Sequence, residues 1–121
     1  MRPDDAVYLR HILDAIGRIE EYTRGFDLSR FRHDPLRQDA VIRQLQIVGE
    51  AAKRVSAILR ATHPQVPWQV AAGMRDRLVH DYFGVDVETV WTTVVDSLPP
   101  FRSAIAAILE SLDSTSAPLS G

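Results

Sequence analysis

Arg75, His80 and Tyr82 fall within eight residues, in the stretch RDRLVHDY. Arginine grips a phosphate through two parallel N–H donors. Histidine exchanges a proton near neutral pH. Tyrosine offers a hydroxyl. Together these groups could do chemistry at a phosphate, or they could be ordinary surface. Asp76, one helical turn before His80, can orient the imidazole, and Arg77 is a second candidate phosphate contact. Each residue also has a plainer reading. His80 can cap a helix C-terminus, Asp76 can pair with Arg77 or Arg54, Arg77 can be solvated, and Tyr82 can be a packed aromatic.

The spacing constrains how the group works. Residues seven apart, such as Arg75 and Tyr82, share nearly one helix face, whereas Arg75 and His80 are about 140° apart on an ideal helix. One phosphate therefore meets both only if the helix ends near His80, as Gly84 suggests, or if two copies meet about a two-fold axis.

The elements that must position the motif read as helices. Leu9, Ile12, Leu13, Ile16 and Ile19 recur at spacings of three and four, which predicts a helix over about 4–24. Asp4 or Asp5 is expected to cap it, and Gly25 to supply a left-handed residue beyond it. Residues 26–34 read as a polar loop. Asp34-Pro35 then starts a long helix expected to reach about Ala61, with Val41, Leu45, Val48, Ala52, Val55 and Leu59 as its stripe. His63-Pro64 stops it, and Pro67 begins the helix that carries the motif. Asp86 caps a short helix holding Val87, Val90, Trp91 and Val94, and Ser97–Pro100 restarts a last one. Trp68 and Trp91 are expected in the core or at a dimer interface. Glu50 is read as structural, near Lys53 and Arg54. No strand pattern appears. The fold class is all-α: one helical domain over 1–113, with a disordered tail expected over 114–121.

Composition narrows the chemistry. The 121 residues carry a formal net charge of -2 and no cysteine, which removes disulfides and thiolate zinc sites. His11, His33, His63 and His80 share no ligand spacing such as H-x-x-x-H, and no glycine-rich phosphate loop occurs. No metal or cofactor is therefore expected. Neither a signal peptide nor a membrane span is read, and a cytoplasmic location is expected. Charge is uneven: residues 30–60 carry a net +4 and residues 81–121 a net -5. The basic region is either a solvated face or a surface for a polyanion.

The pattern R-x-x-x-x-H-x-Y resembles the signature of HepT, a branch of the HEPN superfamily. AVIRQLQIVGEAAKRVS (40–56) resembles that family's central helix, and VPWQVAAGMRDRLVHDYFGVDVETVW (66–91) its signature region. The resemblance runs from about Val7 to Leu112. It implies a bundle of four to five helices forming a homodimer, with both motifs facing one cleft. It also implies a metal-independent endoribonuclease with Arg75 and His80 as catalytic residues. HepT proteins are toxins of toxin–antitoxin pairs. The implied partner is a minimal nucleotidyltransferase antitoxin that adenylylates Tyr82. The competing expectation is a non-catalytic helical dimer that only recruits such a partner.

Overall fold

The computed structural model describes residues 3–73 and 86–116, and all regular structure among them is helical. The first helix, α1 (Pro3–Thr23), buries the stripe the spacing predicts: Leu9, Ile12, Ile16 and Ile19 are almost wholly out of solvent. Each such side chain contributes about 1.5–3 kcal/mol of burial free energy. After α1, Gly25 has φ +75, the left-handed conformation expected at that position.

The expected polar loop over 26–34 contains a helix, α2 (Leu28–Arg32). Asp27 caps it by accepting from the Arg30 N–H at 2.8 Å, and Phe31 is fully buried. The sequence holds that cap and an apolar pair three apart, but a five-residue helix is too short for periodicity to stand out. Next, Asp34 caps α3 (Pro35–Arg54) as expected, accepting from the Arg37 N–H at 3.0 Å.

The long helix ends earlier than its pattern suggests. Val55 is extended, with ψ 137, and a separate α4 (Ala57–Thr62) begins after Ser56. The cause is a buried carboxylate on α1. Asp5 accepts from the Ser56 N–H at 2.8 Å and from the Ser56 hydroxyl at 2.6 Å. The Ser56 Oγ in turn accepts from the Leu59 N–H at 3.2 Å, capping α4. Asp5 is thus not a cap of α1. It lies inside the first turn, 1% exposed, and fixes the α3–α4 break.

His63 closes α4 as predicted. Residues 68–73 are helical, and the Pro67 carbonyl accepts from the Ala71 N–H at 3.2 Å. Beyond the motif, Asp86 caps α5 (Val87–Thr92), accepting from the Glu88 N–H at 3.0 Å. The chain then passes without a break through a π turn (Thr93–Ser97) into α6 (Leu98–Ser116). Pro99 and Pro100 have no N–H for the carbonyls four residues back. The ladder widens instead, and the Leu98 N–H bonds to the Thr93 carbonyl five residues back. The last helix begins at Leu98, inside the expected restart at Ser97–Pro100, and the widened turn joins it to α5. α6 extends three residues into the segment read as tail.

α1 packs chiefly against α3 and also against α6. Val41, Leu45 and Val48 of α3, with Phe101, Ile105 and Ile108 of α6, complete one continuous core around it.

Candidate functional site

Arg75, Asp76, Arg77, His80 and Tyr82 lie outside the described residues, which resume at Asp86. The elements that lead into and out of the motif are described, and both are tied to the core.

On the leading side, Trp68 is 6% exposed and Ala71 is buried. The Trp68 indole N–H donates to the His63 carbonyl at 3.0 Å. Its ring meets Phe101 of α6 edge to face, with centroids 6.3 Å apart. Trp68 is therefore a core anchor, as its type and position suggest. It orients the first turn of the segment that continues to Arg75.

On the trailing side, the Asp86 carboxylate also accepts from the Thr89 hydroxyl at 3.1 Å. Val90 is buried, and Trp91 stacks at a tilt on Phe31 of α2. Arg32 of α2 pairs with Glu88 of α5. α2 is itself held by α3: the Gln38 amide donates to the Phe31 carbonyl at 2.7 Å and to the Arg32 carbonyl at 3.1 Å. Phe31, Arg32 and Gln38 thus support the trailing flank. Sequence reading misses them because it places a polar loop where α2 lies.

The basic region around α2 and α3 is only partly a free surface. Arg37 donates to the Tyr22 carbonyl at 2.6 Å and to Asp34. Arg30 and Arg37 each lie 4.2 Å from the centre of the Phe26 ring. Bonding from the Arg37 N–H and then from its guanidinium holds the Asp34 carboxyl below its ordinary value. These arginines lock the α1–α3 connection through cation–π and hydrogen-bond contacts. Glu50 pairs with Arg54 at 3.6 Å on an exposed face, in keeping with its structural reading. Among the described residues, no three His, Cys, Asp or Glu side chains gather where they could hold a metal. No helix there is long and apolar enough to cross a membrane.

The sequence pattern of the ribonuclease HepT-like family matches residues 12–108, which enclose the whole motif. The chain belongs to the ribonuclease HepT-like family. It is 45% identical over 95 residues to a "probable ribonuclease HepT" of Thermococcus cleftensis, covering 78% of this chain and 86% of that one. Two further relatives carry "putative RNase" in their names. One, from Caldanaerobacter subterraneus, is 38% identical over 85% of this chain and 92% of its own. The other, a gamma-glutamylcyclotransferase as well by name, comes from Methanocaldococcus jannaschii and is 42% identical over 93% of this chain. This HepT-like chain spans about half (51%) of that relative's length. No solved structure matches it. The all-α bundle agrees with that membership.

Proposed function

We propose that the protein is a metal-independent endoribonuclease and the toxin of a toxin–antitoxin pair. The observation that carries this reading is the family match over residues 12–108, with Arg75, His80 and Tyr82 all present inside it. His80 acts as the proton carrier. As base it removes the proton from a ribose 2′-hydroxyl, whose oxygen attacks the adjacent phosphorus. The bond to the 5′-oxygen breaks, and that oxygen leaves with a proton from an acid. The product ends in a 2′,3′-cyclic phosphate. Arg75 clamps the phosphate while negative charge builds on it. Arg77 is a further RNA contact, and Asp76 orients the imidazole. A homodimer brings two copies of His80 to one cleft, where they divide the acid and base roles.

A minimal nucleotidyltransferase antitoxin neutralises the toxin by adenylylating Tyr82. The tyrosine oxygen attacks the α-phosphorus of ATP, and pyrophosphate leaves. The added phosphate pairs with Arg75 or Arg77 and excludes the RNA backbone by charge and volume.

The test is cleavage of RNA by the purified protein in excess chelator, with the new ends identified. The reading expects cyclic phosphate or 3′-phosphate ends, and a loss of about 100-fold or more in folded His80→Ala protein. Undiminished cleavage by that variant would remove His80 from the mechanism. The net charge of -2 favours a second reading, a non-catalytic dimer that recruits the nucleotidyltransferase. Harmless expression of the wild type without its antitoxin would support that reading.

A further inference from the structure

We propose that the cleft midway along the α1–α3 pair reads an unpaired guanine, recognised by Asp14, Arg18 and Gln44. The site deepens the ribonuclease reading above, which supplies the guanine as part of a single-stranded RNA. A free guanine nucleotide offers the same chemistry.

The cleft holds about 200 Å³. His11, Asp14, Ala15 and Arg18 line it from α1, and Gln44 and Ile47 from α3. The four α1 residues recur at spacings of three and four, so they form one stripe. α1 and α3 run antiparallel: Asp5 meets Ser56 at one end, and the Tyr22 carbonyl meets Arg37 at the other. By that register Gln44 lies level with the turn between Asp14 and Arg18.

Gln44 is the residue that points to a ligand. It is 8% exposed, yet no described residue hydrogen-bonds to its amide, which opens into the cleft. A buried amide without a partner is costly and uncommon. Asp14 and Arg18 are exposed beside it and form no ion pair among the described residues. The cleft therefore presents a carboxylate that only accepts, a guanidinium that only donates, and an amide that does both. Guanine matches this set. Its N1–H and N2 amine donate to Asp14, and its N7 and O6 accept from Arg18. The Gln44 amide N–H donates to O6, where those two edges meet. Adenine is wrong on both edges, with an acceptor toward the carboxylate and an amine toward the guanidinium. His11, held edge-on by Tyr8 with centroids 6.3 Å apart, supplies a flat ring for stacking.

The experiment is fluorescence anisotropy with short 2′-O-methyl oligouridylates carrying one central guanine or adenine. They have no 2′-hydroxyl to attack, so the active protein leaves them intact. The guanine strand is expected to bind at least about tenfold more tightly than the adenine strand. Gln44→Met, Asp14→Asn and Arg18→Gln should each cut that preference to about threefold or less. Replacing guanine by 7-deazaguanine, which lacks N7, should weaken wild type and leave Arg18→Gln unchanged. If Gln44→Met unfolds by circular dichroism, the two exposed positions carry the test. Competition by guanosine monophosphate as strong as that of the strand would make free nucleotide the source. A preference that survives excess monophosphate would make it RNA. Equal binding of both strands by wild type, or a preference untouched by all three substitutions, would overturn the site. Cleavage of natural RNA is measured separately: no cleavage with the guanine preference intact counts against the ribonuclease reading alone, and cleavage without the preference counts against this site alone.

Discussion

Phe31 and Trp91 lie with ring centroids 5.1 Å apart and planes tilted by 40°, joining α2 to the helix that comes after the motif. One ring is fully buried and the other partly so. This contact and the Arg32–Glu88 pair hold the trailing flank to the body of the fold.

Removing the ring at position 31 should therefore be costly. Phe31→Ala is expected to lose about 3–5 kcal/mol of folding stability, and Phe31→Leu much less. Urea unfolding followed by circular dichroism measures both. A loss below about 1 kcal/mol for the alanine variant would mean that α2 does not anchor this part of the fold.

The Asp5–Ser56 bond should behave as a coupled pair. Ser56→Ala removes the cap of α4 and one bond to Asp5, at a cost of about 1–2 kcal/mol. Asp5→Ala leaves the Ser56 N–H and hydroxyl without that acceptor and should cost at least as much. In a double-mutant cycle the two losses should fall short of additivity by about 1 kcal/mol or more. Additive losses would show that the bond does not set the α3–α4 break.

Asp34 gives a pH dependence whose sign is fixed. Its folded pKa lies below the ordinary 3.8. Its charge therefore stabilises the fold fully above that value, and the benefit fades as pH falls through the lower folded value. Asp34→Asn keeps a capping oxygen without the charge. The wild-type advantage in thermal midpoint over this variant should be constant from neutral pH to about pH 4 and shrink below it. An advantage that grows with acid would contradict the assignment.

Tyr82 should be the modified residue. With the nucleotidyltransferase, ATP and magnesium, intact mass should rise by whole adenylyl units, and Tyr82→Phe should escape both the rise and the neutralisation. Modification mapped to Tyr8 or Tyr22, with Tyr82 untouched, would refute the assignment.

Much of the bundle was legible because its signals are local. The apolar stripe of α1, the Asp34-Pro35 start, the Asp86 cap and the left-handed Gly25 each depend on a few neighbouring residues. The break at Val55–Ser56 was not, because its cause lies 51 residues away at Asp5. Nothing in the apolar run through Leu59 announces that partner. α2 was missed for a different reason: five residues leave almost no period to detect. The motif was found from residue types, spacing and family resemblance. The residues steadying its trailing flank became visible only once α2 was seen to pack on α5.

The π turn at Thr93–Ser97 sets rotational phase. A widened turn takes one more residue than an α-helical turn, so the residues beyond it are offset by about 100° from an unbroken helix. Before it, Trp91 addresses Phe31 of α2; after it, Phe101 addresses Trp68. One continuous stretch of chain thus serves two neighbours lying in different directions. Deleting a single residue there would let the helix run straight and would swing one set of side chains out of alignment with its partner. Length at this point is therefore held as tightly as residue type is in the core, and a one-residue deletion should harm the fold more than most substitutions in the same turn.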